Sequence, residues 1–126
     1  MSAPRILVVE DNPLNLKLVR DVLGAAGYEV VSATTGEEGL REAAELPPDL
    51  VLMDLQLPGI DGAETMRRLR EGPLADHVPV VAVTASAMAE DQANAVRAGF
   101  DGYLEKPISV RALVGDVEAF LRDGRQ

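Results

Sequence analysis

At 126 residues, 47% of them apolar and 26% charged, the chain has the size and make-up of one globular domain. Its 21 acidic against 12 basic residues leave a formal net charge of −9, which argues against nucleic acid and anionic membrane as partners. It has no cysteine, which removes disulfide and thiol chemistry, and no apolar run approaches the ~18 residues of a membrane span. Met1 to Arg5 leads straight into an apolar run without the features of a signal peptide, so the sequence predicts a cytoplasmic protein. Residues 1–126 are expected to form a single domain with its core over about 4–122 and no output domain.

The first apolar run, Ile6–Val9, is continuous, as strands buried on both faces of a parallel sheet are. Asn12-Pro13 then offers an N-cap and a first-turn proline for a helix carrying Leu14, Leu16, Leu18, Val19, Val22 and Leu23, with Gly27 as the stop. A weaker strand follows at Val30–Ala33. Thr35 and Glu38 have capping-box spacing ahead of Leu40, Ala43, Ala44 and Leu46, and Pro47-Pro48 ends that helix. Leu50–Met53 is the third strand. Asp61 opens a helix with Met66 and Leu69 that closes at Gly72, and Arg67, Arg68 and Arg70 are expected on its exposed side. Val78–Val83 is the fourth strand, Met88–Ala98 a helix closed by Gly99, and Gly102–Leu104 a weaker fifth strand. Ser109 caps a last helix with Leu113, Val117, Phe120 and Leu121, after which Arg122–Gln126 is expected to fray. Strand and helix alternate five times, which predicts an α/β fold, one parallel sheet with helices on both faces.

The polar residues that interrupt these runs recur at one place in each unit. Glu10 and Asp11 follow the first strand, Asp54 the third, Thr84 ends the fourth, and Lys106 follows the fifth. Ligands of open parallel sheets bind outside the carboxyl ends of the strands, so these residues should converge. Taken singly, Asp11 reads as a helix cap, Thr84 as a β-branched strand residue and Lys106 as a solvated charge. His77, the one histidine, reads as a surface residue. Asp54 differs, because a charge inside Leu52-Met53-Asp54-Leu55 is costly without a role. Two carboxylates about 4 Å apart repel by ~4 kcal/mol at an effective dielectric of 20, and Lys106 offsets one charge of three. A divalent cation relieves the rest, and all-oxygen ligands favour Mg²⁺, with Mn²⁺ as the alternative ion. A carboxyl kept neutral by a raised pKa is the other solution. Cation, ammonium and hydroxyl around one carboxylate suit phosphoryl transfer, with Asp54 as the nucleophile.

Four segments in order, Val8–Asn12, Pro48–Gly62, Pro79–Ala85 and Gly102–Pro107, resemble the receiver domain of two-component response regulators over essentially the whole chain. The resemblance implies a flavodoxin-like (βα)5 fold with strand order 2-1-3-4-5. It implies Asp54 as the acceptor of a phosphoryl group from a partner's phosphohistidine, with metal held by Glu10, Asp11, Asp54 and the Gln56 backbone carbonyl. Thr84, Ala85 and Lys106 would bind the phosphoryl group, Lys106-Pro107 would be a cis peptide, and Tyr103 would turn inward as Thr84 closes. That movement would remodel the face built from the fourth helix, fifth strand and fifth helix for a downstream protein. Gln56 and Ser86 would tune dephosphorylation. Implied partners are a sensor histidine kinase or a histidine phosphotransferase, docking on the first helix, with no separate substrate turned over. Asn12–Lys17, Ala82–Met88 and Lys106–Val110 resemble the stand-alone cell-cycle regulators of the DivK type, and also receivers within hybrid kinases or larger regulators. A phosphorylation-independent interaction module is the alternative. A haloacid dehalogenase-type phosphohydrolase is disfavoured because Gln56 stands two residues after Asp54, and a flavodoxin because Glu10-Asp11-Asn12 replaces its phosphate loop.

Overall fold

The computed structural model describes residues 3–85 and 89–124, with backbone alone for 89–92. The elements run β1 (Arg5–Val9), α1 (Pro13–Ala25), β2 (Glu29–Ala33), α2 (Gly36–Glu45), β3 (Leu50–Asp54), α3 (Gly62–Glu71), β4 (Val80–Thr84), α4 (Ala89–Ala98), β5 (Gly102–Glu105) and α5 (Val110–Asp123). All strand pairs are parallel and the sheet order is β2-β1-β3-β4-β5. The three continuous apolar runs are the inner strands, and the two weaker ones are the edges.

Side chains alternate across a strand, so each inner strand feeds two cores. Leu7, Val9, Val51, Met53, Val80 and Ala82 face Ala43 of α2, Met66 and Leu69 of α3 and Ala95 of α4. Ile6, Val8, Leu50, Leu52, Val81 and Val83 face Leu16, Val19 and Leu23 of α1 and Leu113 and Val117 of α5. Each buried Val, Leu, Ile or Met side chain among these stabilises the fold by ~1.5–3 kcal/mol before chain entropy is counted, and each alanine by less.

Helix starts follow the caps. Asn12 Oδ1 accepts from the N–H groups of Leu14 (2.9 Å) and Asn15 (3.2 Å), Asp61 Oδ1 from Glu64 (2.9 Å) and Ser109 Oγ from Ala112 (3.3 Å). Thr35 Oγ1 accepts from Glu38 N–H at 3.1 Å, while Glu38 Oε1 reaches back to Thr34 N–H, one residue before the cap. Gly27, at φ +97°, lies two residues beyond the last residue of α1.

Four readings of the sequence are corrected. β4 begins at Val80 rather than Val78: Pro79 has no N–H to donate, and Val78 N–H turns back to Ala75 O at 3.1 Å. Arg122 and Asp123 belong to α5 rather than to a frayed tail. Leu14 is 77% exposed, off the buried stripe of α1. Arg70 does not share the exposed side of α3 with Arg67 and Arg68. Its side chain is 13% exposed, and Nη2 donates to Val78 O (2.6 Å) and to Asp101 Oδ2 (2.9 Å). Arg67 and Arg68 both pair with Glu64, whose carboxyl their hydrogen bonds hold down at about 2.

Candidate functional site

The strand ladder continues past the strand ends and fixes the loops that carry charge. Glu10 N–H donates to Ala33 O (2.9 Å), Leu55 N–H to Val83 O (3.1 Å) and Lys106 N–H to Thr84 O (2.7 Å). Glu10, Asp54, Thr84 and Lys106 therefore stand at the carboxyl edge of neighbouring strands, with β1 and β3 adjacent where the chain's winding reverses. α3 comes close beneath the site because Gly62 has no side chain. A Cβ there would run into the backbone of Asp54 and Leu55.

Asp54 and Glu10 are buried, at 3% and 4% exposure, whereas Asp11 is exposed. One carboxylate oxygen from each of the three lies within 4.8 Å of the other two. Lys106 Nζ donates to Asp54 Oδ2 at 2.9 Å and to Glu10 Oε1 at 3.2 Å, and Gln56 N–H donates to Asp54 Oδ1 at 2.9 Å. The Lys106–Pro107 peptide is cis. Three carboxylates against one ammonium leave negative charge in excess. Burial, then the hydrogen bond and charge of Asp54, push the Glu10 carboxyl above its usual range, against the pull of Lys106. Burial works to lower the Lys106 ammonium, but its hydrogen bonds to Asp54 and Glu10, with their charges, outweigh it and the net shift is upward. An all-oxygen donor set with excess negative charge fits Mg²⁺, which keeps several waters and takes few carboxylates.

The remaining candidates are placed less closely. Thr84 is half-buried at the end of β4, and the exposed Ala85 follows it. Gln56 and Thr84 border a cleft of about 350 Å³ between α3 and α4, with Asp61, Asn94, Ala95 and Phe100 among its other walls. Tyr103, paired in register with Ala82, is 38% exposed and faces outward. His77 is exposed. Ser86 and Met88 lie outside the described residues. Asn15, which the strand-end pattern did not single out, also reaches the site: its Nδ2 lies 3.4 Å from Glu10 Oε1.

The sequence profile of the response regulator receiver domain matches residues 6–118. The chain belongs to the response regulator receiver domain family. Its strand order and helices are those of receivers resembling the chemotaxis protein CheY. The polar-differentiation response regulator DivK of Brucella ovis is 42% identical over 118 residues, 94% of this chain and 96% of that protein. A putative response regulator from Chloroflexus aurantiacus superposes with a TM-score of 0.89 at 34% identity, covering 96% of this chain and 99% of that one. The receiver domain of a sensor histidine kinase from Pseudomonas aeruginosa has a TM-score of 0.86 and 33% identity, with the same coverage. That structure holds a magnesium ion coordinated in its active-site cleft. In this chain, no helix among the described residues is long and apolar enough to cross a membrane.

Proposed function

We propose that this receiver domain is a phosphorelay switch in which Asp54 accepts a phosphoryl group from the phosphohistidine of a sensor histidine kinase or histidine phosphotransferase. The observation that carries this reading is a buried carboxylate at a strand end that touches an ammonium at 2.9 Å and two further carboxylates within 4.8 Å. A carboxylate oxygen of Asp54 attacks phosphorus while the donor's P–N bond breaks and the leaving imidazole keeps the electron pair. Gln56 N–H holds the other oxygen of Asp54 and so orients the nucleophile. Lys106 follows the developing charge from the carboxylate to the phosphoryl oxygens.

Glu10, Asp11, Asp54 and the Gln56 backbone carbonyl are the residues that would hold Mg²⁺. An ion held there would supply positive charge to offset that of the transferring group and the acceptor carboxylate. Thr84 and Ala85, at the adjoining strand end, supply a hydroxyl and an N–H for the phosphoryl oxygens. Their closure would draw Tyr103 inward from its exposed position and remodel the α4, β5 and α5 face for a downstream protein. Gln56 and Ser86 are the candidates for tuning hydrolysis of the acyl phosphate. In this reading 1–126 acts as one receiver unit that switches partner proteins in the cytoplasm rather than turning over a separate substrate. The regulatory part of it is supported by the likeness to DivK, itself a response regulator.

Incubation with acetyl phosphate, followed by intact-mass spectrometry, tests this reading. One phosphoryl adduct is expected with Mg²⁺ and none without it, and the Asp54→Asn variant should stay unmodified while folding normally. Labelling of Asp54→Asn to the wild-type level would remove the assignment.

A further inference from the structure

We propose that Asn15 is a positioning residue that holds Glu10 in its metal-binding orientation, an inference that rests on the magnesium site described above. Glu10 is one methylene longer than an aspartate and has one more rotatable bond to fix. A carboxylate of that length ligates a cation well only if something else holds its free end.

In this chain three donors converge on a single oxygen of Glu10. Asn12 N–H lies 3.3 Å from Oε1, Asn15 Nδ2 3.4 Å and Lys106 Nζ 3.2 Å, and Oε2 receives none of these bonds. Tying down Oε1 leaves Oε2 as the ligand oxygen. Lys106 is shared with Asp54, and in the proposed reaction it moves toward the phosphoryl group. Only the two asparagine donors stay with Glu10 throughout.

Asn15 is itself set in place by the cap. Asn12 Oδ1 accepts from Asn15 N–H at 3.2 Å, so the first turn of α1 is locked to the loop that carries Glu10. The Asn15 side chain then reaches back five residues to the buried carboxylate, which is 4% exposed. Asn15 is the third residue of α1 and half-buried, and neither core packing nor capping by its own side chain explains it there. Outer hydrogen bonds of this kind typically carry 10–100-fold in metal affinity.

Mn²⁺ binding, read as loss of the free-ion electron paramagnetic resonance signal, tests the inference without phosphorylation. Asn15→Ala should weaken Mn²⁺ by ~10-fold while the melting temperature stays near wild type, because alanine suits the helix. In a Glu10→Asp background the shorter side chain no longer reaches the Asn15 amide, and adding Asn15→Ala should change affinity less than about twofold. Unchanged Mn²⁺ affinity in Asn15→Ala overturns the proposal. So does an equal loss in both backgrounds, which would mark a general effect on the helix start. If the wild-type chain itself fails to bind Mn²⁺, the metal site is wrong and this inference falls with it. Binding by wild type with no effect of Asn15→Ala removes the inference alone.

Discussion

One ammonium serves two buried carboxylates at this site: Lys106 donates to both Asp54 and Glu10, and its side chain is 21% exposed. Lys106→Met therefore leaves both acids without their cation. Stability of the metal-free protein should fall by ~2 kcal/mol in urea unfolding, below the value for a fully buried pair because water still reaches the head group. With the metal site proposed above, saturating Mg²⁺ should recover part of that loss, because a ligand of the folded state alone raises stability. Glu10 gives the pH dependence. Its carboxyl is raised in the folded state, first by burial and then by Asp54, so the native state takes up the proton more readily than the unfolded chain. The stability this contributes is complete below the ordinary value of 4.5 and is lost as pH rises through the higher folded value. Melting of the metal-free protein from pH 4 to 7 should show this decline, and Glu10→Gln should flatten it. The site was legible at this scale because its charges interrupt apolar runs. Asn15 was not, because a polar residue in a helix's first turn carries no such contrast. The outward placement of Tyr103 was equally out of reach, since composition does not choose between two orientations of one side chain.

At the scale of elements, the arginines of α3 separate into two kinds that look alike in sequence. Arg67 pairs with Glu64 and Glu71 on the surface, whereas Arg70 ties the α3–β4 connection to Asp101, whose Oδ2 also accepts from Val80 N–H at 2.8 Å. Arg70→Met should cost ~3 kcal/mol and Arg67→Met under ~1 kcal/mol in parallel urea titrations. All three were expected on the exposed side of α3, because a cluster of charges in sequence does not report a long side chain that folds back onto the end of a sheet. Glycines of the helices divide in the same way. Gly115, in the interior of α5, has nothing within 4 Å of a Cβ position, and Gly115→Ala should raise stability by ~0.5–1 kcal/mol. Gly62→Ala should do the opposite, because its Cβ meets the backbone of Asp54 and Leu55 at the end of β3. Thermal melting of the two variants, with shifts of opposite sign, checks both. Capping signals located the helix starts well, since Asn12, Thr35, Asp61 and Ser109 each bind the N–H groups that a helix leaves open. Strand ends were less certain, and β4 gave way at Pro79 although Val78 remains 2% exposed.

For the molecule as a whole, the doubly wound sheet brings residues 96 positions apart in sequence into hydrogen-bond contact, as Lys106 and Glu10 are. Alternation of five apolar runs with five helical segments was enough to predict the parallel sheet and its two covered faces. The order 2-1-3-4-5 came from family resemblance, because many right-handed arrangements share one pattern of elements. Once that order is set, β1 and β3 lie side by side, and Glu10, Asp11 and Asp54 meet at one edge. The central claim is that this edge exists to place a phosphoryl group on Asp54. The most direct test is to phosphorylate the protein with acetyl phosphate and Mg²⁺, reduce it with borohydride and sequence the peptides by mass spectrometry. Reduction turns an aspartyl phosphate into homoserine and leaves free aspartate untouched. The account predicts homoserine at position 54 alone. Homoserine at Asp11, Asp61 or another aspartate, with position 54 unchanged, would contradict it.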